Sequence, residues 1–320
     1  MKRTLLFAGL LALSVSMSAQ LKQGVLKNVT KVTADKERHE NPRWSPDGSM
    51  IAFTDEGYDN LYVMGSKGGA QKKISSLSGV GYGYSWSADG NEILVRDTRW
   101  TGNEAAPERR HAIYSVSLSG SAVKLTDDAV YMQPAAWRYS PSGKKSIVAP
   151  DAKINGNLSS LKALPAKKTK AMSKATDAAK VSFIADGESL WVVDNSGNKK
   201  KIYNDAAYSP ALSPDGKKVA FNAVDDVCVM NIDGTGLKKL AVGFNPSWVN
   251  NSQIVIERTT DDGHTYLSGD LHLINIESGA SKQLTSTSGV IEMQPSVSAD
   301  GTKIAFISFT DGQVYVGELN

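Results

Sequence analysis

Pro42-Arg43-Trp44-Ser45-Pro46-Asp47-Gly48 decides the fold, because its ending returns along the whole chain. It recurs as Ser87-Ala88-Asp89-Gly90, Ser140-Pro141-Ser142-Gly143, Ser213-Pro214-Asp215-Gly216 and Ser298-Ala299-Asp300-Gly301, with a degenerate copy at Val249-Asn250-Asn251-Ser252. Each copy is turn chemistry. Pro or Ala takes the first corner, Asp bonds the local backbone, and Gly accepts positive φ. The spacings are 42, 53, 73, 36 and 49 residues.

Strand-like runs flank every turn. Ile51-Ala52-Phe53, Ile93-Leu94-Val95, Ile147-Val148, Val219-Ala220-Phe221, Ile254-Val255-Ile256 and Ile304-Ala305-Phe306 follow the copies. A third run comes next: Leu61–Met64, Ile113–Val116, Leu190–Val193, Val227–Met230, Leu271–Ile274 and Val314–Gly317. A fourth ends in a basic-apolar-polar step such as Lys73-Ile74-Ser75 or Lys201-Ile202-Tyr203. Four short strands at about 40–50 residues per unit are the signature of a propeller blade. The expectation is therefore all-β: a six-bladed β-propeller of four-stranded antiparallel blades. The sixth unit has three strands before the end at Asn320, and Val29-Thr30-Lys31-Val32-Thr33 matches the missing fourth. An N-terminal strand completing the last blade would close the ring and remove an open sheet edge.

Around the repeats, composition is that of a globular chain. Apolar residues make up 41 % and charged residues 22 % of the 320. The 36 basic and 33 acidic residues leave no footprint for nucleic acid. Cys228 is the one cysteine, which excludes an intrachain disulfide and a Cys-based zinc site. Lys2 and Arg3 precede an apolar run, Thr4 to Val15, and then the small residues Ser16, Ser18 and Ala19. Residues 1–19 read as a secretory signal peptide, leaving a propeller over 20–320. No later run is long enough for a transmembrane segment. Export without disulfides fits a bacterial periplasm, and a monomer is expected.

The repeat resembles the WD40-like (PD40) repeat of the TolB family of periplasmic β-propellers. Pro42–Gly48 carries its Pro-x-Trp-Ser-Pro-Asp-Gly start, and Val227-Cys228-Val229-Met230-Asn231 its Tyr-Val-Met-Asp strand. The resemblance covers about residues 28–320. It implies a blade whose Pro-x-Trp strand is innermost, and binding of envelope proteins. TolB-type proteins carry an α/β domain ahead of the propeller, and here the repeats follow the leader directly. That departure points to a stand-alone propeller and away from the TolA-linked role.

Long connections are then expected on the face opposite the Asp-Gly turns. Blade two offers Arg96 to Arg110, with Arg96, Arg99, Trp100, Arg109 and Arg110. Blade five offers Asp261, Asp262, His264 and Tyr266, and blade three an insertion over about 152–180 with Lys167, Lys168 and Lys170. Insertions on one face of a repeat protein often mark the binding face. Seven lysines against Asp177 make the insertion either a basic arm for an acidic or anionic partner or a solvated excursion. Trp100 is an anchor candidate, since Trp and Arg are enriched in binding hot spots. Asp261-Asp262-Gly263-His264 lacks the spacing of a calcium loop and reads as a polar turn. The column Glu40, Tyr82, Met132, Tyr208, Phe244 and Met293 is either blade-to-blade packing or an apolar rim around the channel mouth.

No Gly-x-Ser-x-Gly, His-Glu-x-x-His or phosphate-binding Gly-x-x-x-x-Gly-Lys occurs, and the four histidines share no repeat column. The expectation is a binding or scaffold protein that is not an enzyme and needs no cofactor or metal. Its partner would be a protein or peptide of the cell envelope. The alternative is an enzyme: some TolB-like propellers are uronate-oligosaccharide lyases.

Overall fold

The computed structural model describes residues 26–103, 106–140, 142–150, 152–154, 161, 163–165, 169–178 and 180–319. Residues 1–19, read above as a signal peptide, and Lys167 and Lys168 lie outside the described residues.

The chain is an all-β, six-bladed propeller. Strand β1 (Lys27–Lys31) precedes blade one, which holds β2 (His39–Trp44), β3 (Met50–Asp55), β4 (Leu61–Gly65) and β5 (Lys72–Ser75). Blade two holds β6 (Ser85–Trp86), β7 (Glu92–Asn103), β8 (Ala106–Ser117) and β9 (Ala122–Lys124). Blade three holds β10 (Ala136–Tyr139), β11 (Lys145–Val148), helix α1 (Lys170–Ala178), β12 (Ser182–Ala185), β13 (Leu190–Val193) and β14 (Lys199–Tyr203). Blade four is β15 (Tyr208–Leu212) to β18 (Lys238–Val242), with β16 (Lys218–Ala223) and β17 (Asp226–Asn231) between. Blade five is β19 (Phe244–Asn250), β20 (Gln253–Asp261), β21 (Tyr266–Asn275) and β22 (Ser281–Gln283). Blade six is β23 (Glu292–Val297), β24 (Lys303–Ser308) and β25 (Gln313–Glu318).

The sixth blade is completed by β1, which pairs antiparallel with β25 through Lys27 opposite Glu318 and Lys31 opposite Tyr315. Past β1 the chain stays attached. Val32 N donates to Val314 O at 2.9 Å, and Val314 N to Thr33 Oγ1 at 2.8 Å.

Two devices in the repeat explain why it forms blades. In four Asp-Gly turns the Ser hydroxyl donates to the Asp carboxylate, at 2.7 Å for Ser45–Asp47 and 2.6 Å for Ser298–Asp300. The same hydroxyl oxygen accepts the N–H that starts the second strand, as from Met50 and Lys303, both at 3.0 Å. Gly48 and Gly301 turn the chain at φ 72° and 76°, which a Cβ would resist. The tryptophans join blade to blade. Trp44, Trp137 and Trp248 donate their indole N–H to Ser296 O, Ser85 O and Ala211 O at 2.9, 3.0 and 2.8 Å. Each acceptor lies on the inner strand of the preceding blade or its equivalent, so the ring's core forms between blades. Phe53 and Met64 pack on Ile307 and Val314 at the sixth–first junction, and Phe221 packs on Leu190 and Ile202 ahead of blade four.

Blade three departs from the expected four-stranded sheet. β10 and β11 form a two-stranded sheet, while β12, β13 and β14 form a separate three-stranded one. The partner of β13 is β12, not β11. Buried Arg138 of β10 ties the sheets together, donating to Ser182 Oγ at 3.0 Å and Val193 O at 3.4 Å. Ser182-Phe183-Ile184-Ala185 has the character of a second strand, but no Ser-Pro-Asp-Gly turn precedes it to reveal it.

Candidate functional site

Antiparallel blades give the ring two unlike faces. The Asp-Gly turns and the third-to-fourth-strand turns lie on one, here the turn face. Connections from second to third strand and from blade to blade lie on the other.

That second face is built from hairpins rather than loops. The blade-two stretch is strand throughout: β7 and β8 stay paired from Arg96–Ile113 through Trp100–Arg109 to Asn103–Ala106. In blade five, β20 and β21 stay paired as far as Asp261–Tyr266. Both rise as two-stranded arms. Trp100 stands on the first arm 68 % exposed. Arg99 is held by Asp97 and, at 2.6 Å, by Asp128, and Arg110 by Glu108 at 2.7 Å. Arg96 lies half-buried at the arm's root and donates to Met132 O at 2.8 Å; burial first, and then Arg109 nearby, disfavour its charge. At the tip of the second arm Asp261 accepts Gly263 N at 2.9 Å, and Asp262 accepts His264 N at 2.9 Å and Thr265 N at 2.8 Å. These carboxylates serve a turn. Tyr266 meets Phe309 edge-on at 5.2 Å.

The blade-three insertion does not join these arms. Leu164 N donates to Gly143 O at 2.9 Å, and Leu164 and Met172 pack with Ala88. Lys174 of α1 donates to Ala299 O. Gly143, Ala88 and Ala299 belong to the first-to-second-strand turns of blades three, two and six. The described part of the insertion around α1, including Lys170, therefore lies on the turn face. The chain crosses over because β11 ends with no third strand beside it.

Between the arms lies the channel mouth, ringed by polar residues that the repeat pattern only half revealed. Asn41, Ser209, Asn245 and Gln294 start their inner strands in the left-handed region, φ 50–53°, each at a break in strand register. They bond in sequence around the ring. Asn222 Oδ1 accepts Asn245 N at 3.1 Å, Glu257 accepts Gln294 N, and Gln294 Oε1 accepts Asn41 N at 2.5 Å. Glu257 is 2 % exposed, and Asn245 Nδ2 also donates to it at 2.9 Å. Burial pushes its carboxyl up to about 7, against the pull of those two donors. Glu40 is raised too, chiefly by burial, while accepting Gly57 N at 3.1 Å.

Tyr58 reaches over this ring. Its φ of 65° is an outlier for a bulky residue, the kind of strain held at functional sites. Its ring packs on Tyr82 at 4.6 Å, and Gln294 Nε2 donates to its hydroxyl at 3.4 Å. Burial first, then the nearby Glu40, Tyr82 and Glu257, push its phenol up to about 12. The pre-proline column splits accordingly: Tyr82 and Tyr208 stand 54 % and 50 % exposed, while Met132 and Met293 are core. Glu257 had one signal in the sequence, an acid ending Ile254-Val255-Ile256.

Large apolar side chains left exposed among the described residues gather on the hairpin face: Tyr82, Trp100, Val130, Tyr131, Tyr208, Val224, Val242, Tyr266 and Leu267. Leu237 alone of that group lies on the turn face. No three His, Cys, Asp or Glu side chains among the described residues converge as a metal set. Among the described residues no helix is long and apolar enough to cross a membrane.

No family model matches the chain. It is 27 % identical over 157 residues to the TolB homolog of Chlorobium luteolum, a match covering 42 % of this chain and 35 % of that protein. A 69-residue stretch is 41 % identical to the uncharacterized peptidase YuxL of Bacillus subtilis, covering 20 % of this chain and 10 % of the peptidase. The chain thus matches well under two thirds of these relatives' length. Among solved structures, a TolB-type protein of Agrobacterium tumefaciens superposes with a TM-score of 0.53 at 17 % identity, covering 91 % of this chain and 97 % of that one. In fold the chain is a TolB-like propeller.

Proposed function

We propose that this chain is a non-enzymatic binding propeller of the periplasm that engages a protein or peptide of the cell envelope through its hairpin face. The carrying observation is the segregation of exposed large apolar side chains onto that face. Patches of this kind, rimmed by polar residues, mark interaction sites. The arms add reach, with Trp100 and Tyr266 in the amphipathic residue class that dominates hot spots. Likeness to TolB proteins supports an envelope address, as does the leader-like sequence of residues 1–19.

An enzymatic reading would draw on the acids at the channel mouth, Glu40 and Glu257 beside Tyr58, but Glu257 is 2 % exposed and the histidines do not join them. His39 bonds Asp35 at 2.9 Å in blade one, His111 bonds Thr98 at 2.9 Å in blade two, and His264 and His272 sit at the tip and root of the blade-five arm.

Photo-crosslinking residues placed at Trp100 and Tyr266, and at Lys217 on the turn face, test the proposal in an envelope extract. Adducts to a common protein from the first two sites are expected. Adducts from Lys217 alone, or turnover of uronate oligomers, peptides or esters by the purified chain, would overturn it.

A further inference from the structure

The hairpin face is acidic as well as apolar. Carboxylates recur in its connections and at its hairpin ends, with Glu56, Glu188, Asp205, Asp225, Asp261 and Asp262 exposed there. Its arginines offset them only in part, with Arg109 exposed on the first arm. Arg99 and Arg110 are engaged by Asp97, Asp128 and Glu108. Arg38 donates to Phe309 O and faces Glu56 at 3.3 Å, and Arg258 donates to Val242 O at 3.2 Å. The described lysines of the insertion near α1, which suggested an acidic partner, are on the turn face. On the turn face Asp47, Asp215 and Asp300 accept Ser hydroxyl and backbone N–H bonds within their own turns.

At the centre, Glu40 and Glu257 form no ion pair among the described residues, and Arg38 and Arg96 act on Glu40 and Tyr82 only from a distance. Both oxygens of Glu257 take bonds from neutral amides only, and Glu40 takes one from Gly57. Carboxylate oxygens have acceptor capacity beyond this. Tyr82 shows half its surface beside Tyr58. Aromatic faces beside carboxylates attract ammonium and guanidinium groups, and do so more strongly where water is displaced.

We infer that the partner docks a basic segment on the hairpin face, seating a lysine or arginine side chain at the channel mouth against Tyr58 and Tyr82 with Glu40 and Glu257 alongside. This rests on the proposed function, because it takes the hairpin face as the docking face. Charge complementarity selects the segment and steers its approach, while the tyrosines and Trp100 hold it.

Selection of short random peptides displayed on phage against the immobilised full chain tests this. Enriched peptides should carry lysine or arginine beside aromatic residues. Their affinity should fall about tenfold for Tyr58→Ala and for Glu40→Gln, fall with added salt, and hold for Lys217→Glu on the turn face. Tyr58→Phe should retain most of the binding, and melting curves confirm that each variant folds. Enriched peptides that are acidic, yet are weakened by Trp100→Ala, would overturn the basic segment and spare the docking face. Binders indifferent to both Tyr58→Ala and Trp100→Ala, or no enrichment, would remove both.

Discussion

Lys145 and Glu292 are buried ionisable groups with opposite fates. The Lys145 ammonium has no exposed side-chain surface. It meets Asp89 at 2.9 Å and Glu92 at 2.6 Å and sits 5.6 Å from the Trp137 ring. Removing it strands two carboxylates between blades two and three. Lys145→Ala should cost about 3–5 kcal/mol in urea unfolding, and a loss below about 1 kcal/mol would show that water reaches the site. Glu292 has no such partner. It is fully buried, the Thr285 and Thr287 hydroxyls and Asp270 lie near it, and neither carboxyl oxygen makes a hydrogen bond of good geometry. Burial pushes it up to about 8. The folded chain therefore holds this proton across a window where an unfolded glutamate, near 4.5, has released it. With more protons bound in the folded state, stability falls as pH rises from about 4.5 to about 8. At about 1.4 kcal/mol per unit the effect reaches a few kcal/mol. Glu292→Gln should melt with the parent at pH 5 and above it at pH 8.5. Parallel melting curves at both would place the proton elsewhere.

Strand β1 is the element on which the ring depends. Without it β25 presents an unpaired edge, and Leu26, packed beside Tyr315 and Leu284, is lost as well. Deleting residues 21–35 should abolish cooperative unfolding or drive aggregation, because an open edge is a template for other strands. A deleted chain that elutes as a monomer with the parent's melting curve would refute this. β1 was legible in the sequence because it repeats the fourth-strand pattern, and blades one, two, four, five and six were legible for the same reason. Strand β12 was not: its neighbours in sequence are an insertion instead of a Ser-Pro-Asp-Gly turn. The arms were legible as long connections but not as strands, since Arg96–Asn103 holds Trp100 as its one large apolar residue and shows no alternating apolar face. Tyr58 and Glu257 were hidden for a different reason. They meet only when blades one, five and six come together, and no local pattern encodes that meeting. What did show in the sequence was the column Tyr82 and Tyr208 occupy, whose exposure depends on which blade carries it.

At the scale of the molecule, the two ends of the channel are built for different tasks. On the turn face, the insertion binds the first-to-second-strand turns of blades two, three and six through Met172, Leu164 and Lys174. Blades two and six flank blade one, so α1 lies over that end of the ring instead of trailing from it. The hairpin face carries the exposed aromatics and the acidic connections. Deleting residues 155–178 removes the cover but no blade strand, and the apolar groups lost from burial are few, Leu164 and Met172 among them. Each is worth about 1.5–3 kcal/mol when buried, and a domain of this size loses about 2–4 °C per kcal/mol, so the ring should fold and unfold cooperatively at a temperature lower by roughly 10 °C. Docking on the opposite face should be unchanged. Trp100→Ala, by contrast, should leave the melt unchanged, since that side chain is exposed, and weaken docking by about 1–2 kcal/mol. The pair separates the faces cleanly, because each variant is predicted to move one readout and spare the other. Loss of docking on deletion of residues 155–178, with Trp100→Ala silent, would show that the partner comes to the turn face and that α1 is its receptor.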